Sequence, residues 1–189
     1  NFGSEKSLFK MKNYIPFLSL TLLLISCRSG AQVPEDTVIK VMTPTPVTVE
    51  CKNEFYPAEA PQFGDESSFN YEEINDDLKL IIISEGAGNK KVQSNDKVDV
   101  DYTGWLIDGC IFDSTYPRGS SAKFRIGKGQ VIQGWDEGLI GMKEGEVRRL
   151  NIGHKYAYGE DGIPGVIPEK SKLIFEIKLN KIIRLVNNE

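Results

Sequence analysis

An α+β fold is what this sequence predicts, an antiparallel β-sheet of about five strands with one wet face and a single short helix against its other face. Three observations carry it. From Leu78 onward, short apolar segments alternate with polar residues and are separated by Gly, Asn and Asp, the pattern of half-buried antiparallel strands. One stretch alone repeats at helical spacing, with Val131, Trp135 and Leu139 at i, i+4 and i+8. Composition also shifts near residue 76, from Pro-rich and acidic to strand-like, which leaves roughly 110 residues for a self-sufficient domain of ordinary size.

Read in order, the chain opens with residues 1–10, which precede Met11 and take no part in the fold argument. Lys12 then leads into an apolar run from Ile15 to Ile25. That run is shorter than the ~20 residues a spanning helix needs and fits the ~7 to 15 of an export signal. It ends in Leu24-Ile25-Ser26-Cys27, which resembles the bacterial lipobox. The resemblance implies lipidation at Cys27, a mature chain starting there and held by acyl chains (palmitate among them), and a place in the cell envelope. Arg28 after the cysteine points to the outer membrane, facing the periplasm.

Residues 28–75 read as a Pro-rich acidic tether, with Pro34, Pro44, Pro46, Pro57 and Pro61. Within it, Val38–Met42 and Val47–Val49 are β-branched enough for short strands, although prolines divide them and a largely extended spacer is expected. Cys51 and Cys110 are two unrelated thiols on the plainest reading, because nothing in the sequence brings them together; a disulfide is chemically permitted outside the cytoplasm.

The domain occupies residues 76–189. Leu78–Ile83 is a nearly continuous apolar strand, and Val98, Val100 and Tyr102 share a face against Asp99, Asp101 and Thr103. Phe124 and Ile126, the run Val147–Ile152, and Phe175, Ile177 and Leu179 complete five strands. The helix through Val131, Trp135 and Leu139, with Ile132 and Ile140 beside the stripe, holds Gly129, Gly134, Gly138 and Gly141 in or around it. Each glycine weakens an isolated helix by up to about 1 kcal/mol, so burial of Trp135 has to hold it in the sheet's concavity.

Charge and inventory exclude several functions. A net charge of -4 offers no basic footprint for nucleic acid. One histidine and three scattered cysteines cannot assemble a zinc site. His154 stands without a Ser or Cys motif, which removes a hydrolase triad.

Four blocks then agree in order and spacing: DYTGWLIDGCIFDST (101–115), FRIGKGQVIQGWDEGL (124–139), YAYGEDGIPGVIP (156–168) and LIFEIKL (173–179). Together they resemble the FKBP-type peptidyl-prolyl cis/trans isomerases over about Leu78–Leu185, with no chaperone insert between Tyr158 and Pro168. The resemblance implies a twisted sheet wrapped around the helix, with a pocket floored by Trp135. It implies Tyr102, Phe112, Asp113, Trp135, Tyr158 and Phe175 as the catalytic set, and Arg118, Val131, Ile132, Ile163 and Ile167 as substrate-binding positions. The Tyr158 hydroxyl and the Ile132 N–H are the implied donors to substrate carbonyls, with Asp113 orienting Tyr102 or Arg118. Two positions depart from the family pattern. Ala122 stands where many members have an aromatic wall, and Ile163 where some have a histidine.

The implied activity is cofactor-free isomerisation of X-Pro bonds in extracytoplasmic proteins. Its implied partners are Pro-containing polypeptides, macrolide inhibitors and, through the anchor, the membrane. A non-catalytic Pro-peptide binding module is the alternative, motivated by Ala122, Ile163 and the tether.

Overall fold

The computed structural model describes Cys51 and residues 56–184; the stretch expected to be an export signal, Cys27 and the two stretches Val38–Met42 and Val47–Val49 lie outside the described residues. Among the described residues, nine strands and one α-helix follow in order: β1 (Glu72–Asn75), β2 (Leu78–Ser84), β3 (Ala87–Lys91), β4 (Lys97–Leu106), β5 (Ile111–Ser114), β6 (Ala122–Arg125), α1 (Gln133–Gly138), β7 (Lys143–Glu144), β8 (Val147–Ile152) and β9 (Leu173–Ile183). The main sheet runs β1-β2-β8-β9-β4-β5, with β6 also paired to β4, and every pairing is antiparallel. β3 and β7 form a separate two-stranded ladder.

All five strands expected from alternation are present, as β2, β4, β6, β8 and β9. The four not expected are short, and β1 and β3 are largely exposed, so their side chains carry no period-2 apolar signal. The period sorts the two faces of the sheet cleanly. Val98, Val100, Leu150, Ile152, Leu173, Phe175, Ile177 and Leu179 turn into one core with Trp135 and Leu139, while Trp105, Ile111 and Ile174 form a second cluster on the opposite side.

The helix is shorter than its apolar stripe suggests. Only Gln133–Gly138 of this stretch is α-helical; Val131 sits at a bend and Ile132 is an extended N-cap (φ -61°, ψ 152°), so both pack on the core from ahead of the helix. The glycines explain both the shortness and the fit. A Cβ at Gly134 would stand 2.6 Å from the Ile152 side chain, and one at Gly138 2.9 Å from Leu150. What reads in sequence as a weakness of the helix is the condition for laying it directly on β8.

Two expectations about the N-terminal side need correcting. The stretch expected to be a tether up to residue 75 is packed over its last part: Tyr56–Tyr71 lies as a strap on the outer face of the sheet and feeds into β1. Tyr56 and Thr103 hydrogen-bond through their hydroxyls, and Phe63 packs on Trp105 at 6.0 Å between ring centroids. Under the strap, Arg149 of β8 is 1% exposed and is held by Glu66 (2.6 Å) and Glu176 (3.0 Å), with Phe69 4.5 Å from its guanidinium carbon. Second, Cys51 and Cys110 are joined in a disulfide across a sequence separation of 59, Cα atoms 5.0 Å apart. Pairing depends on where the strap docks, which is a tertiary fact with no local signature.

Candidate functional site

The concave side of the sheet gathers aromatic rings around one indole. Trp135, 5% exposed, meets Tyr102 at 4.9 Å (interplanar 88°), Phe175 at 5.1 Å (83°) and Phe124 at 5.3 Å (50°). Phe112 closes the set edge-on to Phe175 at 5.5 Å. Perpendicular contacts of this kind set the positive edge of one ring on the negative face of another. The indole N–H is buried and meets no acceptor among the described residues.

Each ring has a traceable support. Tyr102 and Phe175 come from neighbouring strands, with Tyr102 opposite Ile177 and Gly104 opposite Phe175. Gly104 is the residue that lets the rings meet: a Cβ there would fall 2.7 Å from Phe112 Cζ and 2.8 Å from Phe175 Cε1. Sequence reasoning gave it no role, although a glycine inside a strand is the usual sign of a close approach. Phe124, read in sequence as packing, is also a wall of the same box.

The polar edge is a second unit. Tyr102 donates its hydroxyl hydrogen to Asp113 Oδ2; Arg118 Nη1 donates to Asp113 Oδ1 at 2.7 Å, and Arg118 Nη2 reaches the Tyr102 oxygen at 3.5 Å. Ser114 N–H donates to Asp113 Oδ1 at 2.9 Å. Backbone and side-chain bonds between Tyr102 and Thr115 hold β4 to the chain after β5 at the same place. Burial first, then the Asp113 charge, pushes the Tyr102 hydroxyl well above the usual phenol range. Burial followed by the same Asp113 charge also raises Tyr158, which sets Tyr158 and Asp113 in one electrostatic neighbourhood.

The rim comes from two loops. Val131 and Ile132 are half-buried against the core cluster, and no acceptor among the described residues takes the Ile132 N–H. Ile163 and Ile167 exchange two backbone hydrogen bonds of 2.8 Å, a tight loop that carries Tyr158 at its start and buries Ile167 to 3% exposure. Its Gly162 has φ +62°, and a Cβ there would sit 2.3 Å from the Ile167 carbonyl oxygen. Ala122, opposite Val100, packs on the same cluster. All eleven positions named for catalysis and substrate therefore belong to one cluster or to the Asp113 network at its edge.

Two small clefts lie elsewhere, of about 200 Å³ around Asp77, Asn151 and His154 and about 280 Å³ around Pro61, Tyr116 and Glu176. Neither includes a ring of the aromatic box. Among the described residues, no three His, Cys, Asp or Glu side chains gather as metal ligands.

The model of the family described as FKBP-type peptidyl-prolyl cis-trans isomerase matches residues 88–180, a span that contains the whole aromatic box. FK506-binding protein 1A of Neurospora crassa is 48% identical over 104 residues, covering 55% of this chain and 87% of that protein. Peptidyl-prolyl cis-trans isomerase FPR2 of Saccharomyces cerevisiae is 51% identical over 90 residues, covering 47% and 67%. An FK506-binding protein of Neisseria meningitidis serogroup B is 46% identical over 100 residues, covering 53% and 91%.

Proposed function

Because this chain belongs to the FKBP-type peptidyl-prolyl cis-trans isomerases, we propose that it turns X-Pro bonds in extracytoplasmic polypeptides against the Trp135 box, tethered to a membrane through Cys27. The single observation that carries the site assignment is the convergence of Tyr102, Phe112, Phe124 and Phe175 around Trp135, with Asp113 locked at its edge.

The chemistry asks for little else. Rotation about a peptide bond meets a barrier of about 18 to 20 kcal/mol because conjugation is lost at the perpendicular geometry, and no bond to a heavy atom is broken. A surface that binds the twisted amide better than either planar form gains about tenfold per 1.4 kcal/mol. The rings provide an apolar seat for the proline. The Ile132 N–H and the Tyr158 hydroxyl hold substrate carbonyls on either side of the rotating bond. Arg118 and Tyr102 fix Asp113 so that its charge borders the site without transferring a proton.

The test is the isomerisation rate of an Ala-Leu-Pro-Phe peptide with the whole chain and with Trp135→Leu and Tyr158→Phe. Wild-type acceleration, with kcat/KM at least about tenfold lower in Trp135→Leu, is the expected result; folded variants as fast as wild type would remove these residues from the site. FK506, the ligand in the relatives' names, is expected to compete with the peptide.

Lipidation is supported by the register of the apolar run, Ser26 and Cys27, and an oxidising location by the Cys51–Cys110 disulfide. Labelled palmitate is expected in the wild type and absent from Cys27→Ser, which should leave the membrane fraction for the soluble one. Equal labelling of both would refute the anchor.

A further inference from the structure

The turn between β6 and α1 delivers Val131 and Ile132 to the site, and one side chain holds it from behind. Asp136, in the first turn of α1, accepts the Gly127 N–H at Oδ1 (2.7 Å) and the Gly129 N–H at Oδ2 (2.9 Å). Its own backbone N–H donates to the Ile132 carbonyl at 3.2 Å, beside the Trp135 N–H at 3.0 Å. Both glycines have positive φ, +71° and +60°, the conformation that aims their amides at one carboxylate instead of along a strand. Gln130 adds a brace at the other side, where its Oε1 accepts the Arg125 N–H of β6 at 2.8 Å.

We propose that Asp136 is a positioning residue of the isomerase: by gripping Gly127 and Gly129 it fixes the path of the turn and so the direction of the Ile132 N–H. This rests on the reading of Ile132 as a donor to the substrate. The ring of bonds closes on itself. Ile132 is held at its carbonyl by the backbone of Asp136, and the turn leading to it is held by that residue's carboxylate, so the N–H between these two anchors has little freedom left. Freed from the carboxylate, the two left-handed glycines gain conformational freedom and the donor loses its aim. The substrate then binds less well, while the aromatic box keeps its shape because its rings are held by one another, in contacts that do not run through the Asp136 carboxylate.

The experiment uses the whole chain with Asp136→Ala and Asp136→Asn. Asparagine keeps one acceptor oxygen of similar shape and serves as the decisive variant if alanine does not fold. kcat and KM for an Ala-Leu-Pro-Phe peptide are measured together with the backbone amide NMR shifts of Gly127, Gly129 and Ile132. In wild type, peptide should shift the Ile132 amide. In the variants the two glycine amides should move upfield, the peptide-induced shift at Ile132 should shrink, and KM should rise about five- to tenfold with little change in kcat, asparagine falling between wild type and alanine. Folded variants with wild-type KM and a wild-type Ile132 response overturn the role of Asp136 alone. A wild type that isomerises peptide without any shift at Ile132 overturns the donor assignment, and the inference falls with it.

Discussion

The Tyr102 hydroxyl is fully committed, donating to Asp113 while Arg118 closes on the same carboxylate. Burial and then that charge hold its proton in place far above neutral pH, and Tyr158 is raised in the same way. Both phenols therefore stay protonated from acid up to beyond their usual value near 10. A pH profile of kcat/KM is expected to be flat between about pH 6 and 9, and a bell in that range would mean that a titrating group takes part. Gly104 allows a second test at this scale. Gly104→Ala places a methyl against Phe112 and Phe175, and overpacking of this kind typically costs about 1 to 3 kcal/mol. Urea unfolding should show that loss, with kcat/KM lowered in the folded fraction; unchanged values for both would mean that the rings part easily. The residues bearing rings and carboxylates were legible because their types, order and spacing repeat a family pattern. Gly104 and Asp136 were not, since a glycine's use and a carboxylate's partners depend on what the fold brings alongside.

At the scale of elements, strands that bury one face announced themselves: β4 and β9 alternate over most of their length and were expected from that alone. α1 was expected too long, because Val131 continues the apolar stripe although it sits at a bend ahead of the helix, whose N-cap Ile132 is extended. Periodicity reports which residues face the core, not which dihedrals carry them there. The strap was missed for the complementary reason. Its aromatics, Tyr56, Phe63, Phe69 and Tyr71, follow no period of 2 or 3.6 and lie among prolines and acids. Its energetic centre is Arg149, whose guanidinium lies near the rings of Phe63, Phe69 and Trp105 and pairs with two carboxylates. Arg149→Ala leaves Glu66 and Glu176 together without their cation, and breaking a buried pair in this way costs about 3 to 5 kcal/mol. Calorimetry should show a large fall in Tm, together with faster proteolysis within residues 56–71. A Tm close to wild type would mean that the strap adds little.

For the molecule as a whole, the disulfide joins the chain ahead of the strap to the β4–β5 turn and closes a long loop. Chain-entropy reasoning for a loop of this length gives about 4 kcal/mol of stabilisation. Unfolding with and without reductant should differ by up to that amount, and coincident transitions would show that the strap docks as firmly without the bond. The same bond also decides how the domain carries a load. Tension applied to residues ahead of Cys51 crosses directly to Cys110, so the strap, β1, β2, β3 and β4 lie outside the force path. About 200 Å of chain is thereby kept from stretching, and a pull on the N-terminal side reaches the β5 end of the sheet before it can peel the strap or the β1 edge.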